Sequence, residues 1–205
     1  MPGQGCRARR CNPITPPAHE SPPASSHRPA LPLSCLTGSS KCVDVRVMIQ
    51  CAMAKRSAGL LMYRRTAGGL EVLLVHPGGP YWAGRDAGAW SLPKGEYEVD
   101  FENPLDAAKR EFVEETGFAP GSPLTSLGEV RLRSGKIISA WAFPGDCNPA
   151  DMVSNSIEIE WPPRSGKLAA FPEADRAAWF TTEAARERIH PGQCAFIERL
   201  EALDA

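Results

Sequence analysis

The sequence has no run of apolar residues approaching the roughly 20 that a membrane-spanning helix needs. It also lacks an excess of charge of either sign: 23 Lys and Arg against 24 Asp and Glu leave a net charge of −1. A chain so balanced has no global electrostatic pull toward a nucleic acid duplex or an anionic membrane, and neither is expected as a partner. The opening, MPGQGCRARRCNP, lacks the apolar stretch of a secretory signal, so the default compartment is the cytoplasm. Seven cysteines are present, but no two of them form a Cys-x-x-Cys pair. Their spacing argues against a zinc site, which wants close paired ligands. Without a secretory signal a disulfide framework has no support either. Cys147 and Cys194, the two beyond residue 52, read as reduced thiols.

Residues 1–52 differ from the rest. They hold eight of the 20 prolines and five of the seven cysteines, with six basic residues against two acidic ones. No long helical or alternating pattern runs through the first 42 residues, so little apolar surface is available to offset chain entropy. The segment reads as a disordered extension. Two other readings stay open: an Arg- and Ser-containing targeting segment, whose prolines oppose the required amphipathic helix, or codons upstream of a true start at Met53.

The folded domain is expected over residues 53–205, with a charge of 17 basic minus 22 acidic residues, or −5. Residues 57–63 and 70–76 are short apolar runs about a glycine-containing turn, and read as a strand pair. A glycine-rich loop over 77–89 leads to a short strand over 90–95. Asn103-Pro104 opens the best helix signal, with Asn as N-cap and Pro at the first position, and Gly117 ends it. Further strands are expected over 127–133, 136–143, 156–161 and 177–181, a loop over 162–172, and helices over 183–189 and 193–203, broken at Pro191-Gly192. Strands with an inserted helix and terminal helices imply an α/β fold, a mixed β-sheet covered on both faces.

The helix carries an electrostatic oddity. With Glu111 as reference, Glu114 lies about 60° to one side and Glu115 about 40° to the other. Three carboxylates therefore share one face, repelling one another by a few tenths of a kcal/mol per pair. They also sit in the last two turns, where the helix dipole disfavours anions. A solvated acidic face is one explanation. Oxygen ligands clustered for Mg²⁺ or Mn²⁺ are the other, since a bound cation reverses the repulsion.

The flanking residues form a fixed pattern: Gly95, Glu102, seven residues, then Arg110-Glu111-Phe112-Val113-Glu114-Glu115-Thr116-Gly117-Phe118. This resembles the signature of the Nudix hydrolases. One departure is visible: six residues separate Gly95 from Glu102, where the signature has five. The extra residue falls in a loop, where insertion is tolerated, and strict counting would put Phe101 in an acidic slot. The lead-in Trp90-Ser91-Leu92-Pro93-Lys94-Gly95-Glu96 is similar to that of family members acting on dinucleoside polyphosphates. The chain also resembles a bacterial branch of predicted nucleoside triphosphate pyrophosphohydrolases.

The resemblance implies a Nudix-type α/β/α sandwich and metal-dependent hydrolysis of a pyrophosphate bond in a nucleoside diphosphate derivative, a nucleoside triphosphate or a diadenosine polyphosphate. It implies that Glu111, Glu114 and Glu115 bind Mg²⁺ or Mn²⁺, with the Lys94 backbone carbonyl completing the set. Arg110 would orient the carboxylates through Glu102. Gly95 would let the chain turn closely, and the Lys94 side chain would contact phosphate. Glu173, six residues before Trp179, is the candidate general base; Asp175 and a glutamate of the signature compete with it. Trp82 is the candidate for stacking a nucleobase, whereas Trp90 reads as core and Trp141 stays open. Arg164 and Lys167 fit a substrate clamp or a solvated loop equally. His76 and His190 show no partner spacing, and Ser57 and Cys194 no nucleophilic constellation. The alternative function is a non-catalytic Nudix-like module that senses a nucleotide or binds a partner. Signatures of coenzyme A or NADH cleavage are not seen, and oligomeric state is open.

Overall fold

A computed structural model describes residues 54–204; the expected extension over 1–52 lies outside them. Two strands open the domain, β1 (Arg56–Thr66) and β2 (Gly69–Pro77), followed by β3 (Lys94–Tyr97) and helix α1 (Pro104–Thr116). Next come β4 (Thr125–Arg131), β5 (Ile137–Pro144), β6 (Ser156–Glu160), β7 (Leu168–Pro172) and β8 (Ala174–Thr181). Helices α2 (Thr182–Arg188) and α3 (Cys194–Asp204) close it. Six strands form one sheet in the order β4-β5-β1-β2-β8, with β3 beside β1. The β1–β5 pair is parallel and the others antiparallel, so the sheet is mixed as expected.

One face of the sheet buries Leu61, Val72, Leu74 and Ile138 against Phe196, Ile197 and Leu200 of α3 and Ala185 of α2. The other buries Leu60, Met62, Leu73 and Phe143 against Ala107, Ala108 and Phe112 of α1. The α/β/α sandwich is therefore present. β1 is central to it: its N-terminal part pairs with β3 (Ala58 opposite Gly95) and its C-terminal part with β2 (Tyr63 opposite Val72). α1 begins where the sequence placed it, with Asn103 Oδ1 accepting the Leu105 N–H at 2.9 Å and Pro104 following. It stops at Gly117, whose φ of 74° is left-handed and costs a glycine little.

Two expectations need correction. Trp90 and Ser91 make only isolated bridges, and the strand expected over 90–95 starts at Lys94. Pro93 has no N–H to donate; its carbonyl instead takes the Leu60 N–H at 3.1 Å. The second half of the loop expected over 162–172 is strand β7, paired with β6 in a small separate sheet. Its mostly exposed face gives no amphipathic signal; the pairing with β6 supplies its backbone partners. Among the described residues no helix is long and apolar enough to cross a membrane.

Candidate active site

α1 presents its acids toward the edge of β3. Glu111 and Glu115 are buried, each 7% exposed, whereas the Glu114 side chain is about one-third open at 37%. Gly95 of β3 sits against Glu111 so closely that a Cβ there would fall 1.8 Å from the Glu111 carboxylate. No side chain fits at that position. The neighbouring Lys94 N–H donates to Glu115 Oε2 at 3.0 Å. β3, held in register by β1, thus seats both buried carboxylates.

Arg110 ties the remaining acids together. Its Nε and Nη2 donate to the two oxygens of Glu102 at 3.0 and 2.9 Å, a bidentate fork. Its Nη1 donates to Glu111 Oε1 at 2.7 Å and to Glu114 Oε2 at 2.9 Å. The bond from Arg110 holds the Glu102 carboxyl below the usual range, and the same bond raises the guanidinium further above its own. Burial pushes Glu111 up, against the pull of Arg110. Burial pushes Glu115 up to about 7, opposed by the charge and the N–H of Lys94.

Glu173, at the junction of β7 and β8, faces these carboxylates across a cavity of about 430 Å³. Its walls include Glu111, Glu115, Glu173, Lys94, Gly95 and Lys136. Backbone bonds fix the distance: the Asn155 N–H donates to the Glu114 carbonyl at 2.9 Å, and the Glu173 N–H to the Asn155 carbonyl at 2.8 Å. A larger cavity of about 730 Å³, lined by Ala54, Tyr97, Phe101 and Glu102, holds neither buried carboxylate. Among the described residues no three His, Cys, Asp or Glu side chains form a ready-made metal cage; Arg110 engages Glu111 and Glu114 instead. The donor set nevertheless suits a hard divalent cation. It is all oxygen, and among the described residues the buried Glu115 carboxylate is met at hydrogen-bond distance only by a backbone N–H.

The structure separates residues that the sequence left in competition. Asp175 is turned away from the cavity and lies 2.9 Å from His76, a partner 99 residues distant that spacing could not reveal. Trp82 is 36% exposed in the loop after β2, beneath Arg85, and is not part of the cavity wall. Trp90 is buried, with its indole N–H on Asp86, and Trp141 packs beside the α1 core. Arg164 and Lys167 sit at the tip of the β6–β7 hairpin, Arg164 with a φ of 65°. His190 accepts the Gly192 N–H. The buried Ser57 hydroxyl is without a partner among the described residues. Lys136, next to the β4–β5 turn, was not anticipated; only the fold brings it to the cavity, where it also bonds Glu96 at 3.0 Å.

Residues 53–200 match the family model described as NUDIX domain. The chain belongs to the Nudix family. It is a Nudix hydrolase, and the family's reaction is hydrolysis of a pyrophosphate bond with the help of divalent metal ions. No curated protein matches the chain significantly. Solved structures share the Nudix fold. The NUDIX domain of Shewanella oneidensis NrtR, complexed with ADP ribose, is 14% identical, over 80% of this chain and 99% of that one, with a TM-score of 0.51. The C-terminal domain of mouse MUTYH, solved with human PCNA, is 20% identical over 74% and 90%, with a TM-score of 0.50. A C. elegans Ap4A hydrolase in a binary complex is 23% identical over 72% and 96%, with a TM-score of 0.48. At these identities the likeness to the first two is one of fold.

Proposed function

We propose that this Nudix hydrolase cleaves a pyrophosphate bond of a nucleoside diphosphate derivative, a nucleoside triphosphate or a diadenosine polyphosphate, in the cytoplasm. The observation that carries the proposal is the convergence of buried Glu111 and Glu115 with Glu173 on one cavity that Lys94 and Lys136 border. Glu111, Glu114 and Glu115, with the Lys94 carbonyl, would hold Mg²⁺ or Mn²⁺. When bound, the ion supplies charge neutralisation for the diphosphate and lowers the pKa of a bound water.

The chain's own groups do the rest. Lys94 and Lys136 attract and orient the phosphates as point charges. Glu173 accepts the proton of the attacking water from the side opposite α1. Arg110 holds Glu111 and Glu114 in place through two bonds while Glu102 fixes the guanidinium plane. Gly95, by carrying no Cβ, leaves the Glu111 carboxylate its seat.

The test is release of phosphate or nucleotide from a panel of nucleoside triphosphates and diadenosine polyphosphates, with Mg²⁺ or Mn²⁺, beside the Glu114→Gln, Glu115→Gln double variant. Release by the wild-type protein and its loss in the variant are expected. Equal low release from both would sink the enzyme and leave a nucleotide-binding module.

A further inference from the structure

His76 is fully buried beside the cavity, yet the chemistry above makes no use of it. Both ring nitrogens are engaged: Nδ1 lies 2.9 Å from Asp175 Oδ1, and Nε2 lies 2.8 Å from the Arg85 carbonyl oxygen. A carbonyl oxygen only accepts, and so does a carboxylate oxygen. A neutral imidazole has one N–H and can serve one of them. Both bonds form together only if the His76–Asp175 pair holds one proton beyond a neutral ring and a carboxylate. The charged groups around the ring are Asp175 and Arg176 of β8, Arg85 and Asp86 of the loop after β2, and Arg188 of α2. Arg188 is engaged by Asp86 at 2.9 Å, and Arg176 lies over the Trp90 ring that packs edge-on against His76.

The two bonds join segments that border the cavity. Arg85 belongs to the glycine-rich loop 78–88, which follows the wall residue Pro77. Asp175 is the extra residue of a bulge: His76 pairs with Arg176 and Pro77 with Ala174, leaving Asp175 without a partner on β2. Ala178 and Phe180 pack on the α2–α3 side of the sheet. Unbroken alternation would carry Ala174 to that same side. The bulge reverses it, and Ala174 instead lines the cavity next to Glu173. The bulge brings the Asp175 carboxylate, whose side chain is about one-third exposed, onto the fully buried His76 ring, and the buried ring nitrogen gains the partner it needs.

Taking the cavity as the reaction site assigned above, we propose that His76 and Asp175 are positioning residues. Sharing one proton, they latch loop 78–88 to the bulge of β8 and so keep Glu173 in the cavity.

Amide hydrogen exchange tests this without any substrate, so its outcome is independent of whether the hydrolytic assignment holds. The N–H groups of Gly78, Trp82 and Arg85, which bond to the carbonyls of Glu173, Gly79 and Trp82, report the latch. They are followed at about pH 5 and about pH 9, which bracket the interval in which histidine side chains change charge, with intrinsic rates corrected. In the wild-type protein, protection should fall on the order of tenfold at the higher pH, the cost of one lost hydrogen bond. In Asp175→Asn the amide can donate to a neutral Nδ1 while Nε2–H serves Arg85, so protection should stay high at both. His76→Ala should be poorly protected at both. If that variant does not fold, the Asp175→Asn comparison decides alone. A pH-dependent loss in Asp175→Asn equal to that of the wild type, or no loss in the wild type, overturns the latch.

Discussion

Replacing Glu115 by glutamine should make the metal-free protein more stable above neutral pH. The glutamate carboxyl ordinarily titrates near 4.5 and is pushed up to about 7 here by burial. The folded state therefore holds the proton more tightly than the unfolded chain, so stability rises as pH falls through 7 and levels off below 4.5. Above 7 the carboxylate bears its full burial penalty. At ~1.36 kcal/mol per pH unit, the gap amounts to about 3 kcal/mol. Glutamine can still accept the Lys94 N–H, but it buries an amide NH₂ at a cost of about 1 kcal/mol. A net gain of about 2 kcal/mol should raise Tm by about 4–8 °C for a domain of this size. Thermal melts with a chelator measure it. At about pH 8 the variant should melt higher; at about pH 5, where the wild-type carboxyl is mostly protonated, most of the difference should vanish. Added Mg²⁺ should raise the wild type and leave the variant nearly unmoved. Equal melting at the higher pH, or a difference that ignores pH, would show that Glu115 bears no burial penalty and undercut its role as a site for a cation.

Gly95→Ala places a methyl group where the Glu111 carboxylate lies; kcat/KM should fall on the order of a hundredfold, as for an active group displaced by about 1 Å, with the far-UV circular dichroism unchanged. Arg110→Lys loses the fork to Glu102 and keeps only a point charge. Activity should drop about 10–100-fold, while stability measured in urea changes by less than about 1 kcal/mol, because the Arg110 side chain is 39% exposed. Glu173→Gln should lower kcat by about 10²–10⁴-fold and leave KM within a small factor; a kcat within about threefold of wild type would move the base to another carboxylate.

The helix that carries the glutamates was legible because its cues are local: an N-cap, a first-position proline, a terminal glycine and an arc of three acids. Its neighbours in space were not. Gly95 stood out in the pattern, but that it must lack a Cβ because Glu111 occupies the space is a fact of the packing between β3 and α1. Lys136 and the His76–Asp175 pair are separated from their partners by 40 and 99 residues, and no periodicity encodes such distances. β7 was missed because an exposed strand on a two-stranded sheet has no apolar alternation to betray it. Only the family resemblance favoured Glu173 over Asp175 in the sequence; the strand period alone puts both on one face, and a bulge that it does not encode turns them apart.

The β6–β7 hairpin leaves and rejoins the body of the protein at one spot, where Asn155 and Glu173 are linked through their backbones. An excursion pinned at its base behaves as a cassette. Residues 156–172 can be exchanged for a longer or shorter arm at little entropic cost, about 0.6 kcal/mol for each doubling of a flexible loop. The glutamate on the return step stays anchored to α1 through Asn155 throughout. New surface can thus be grafted beside the cavity while Glu173 and the glutamates of α1 keep their spacing.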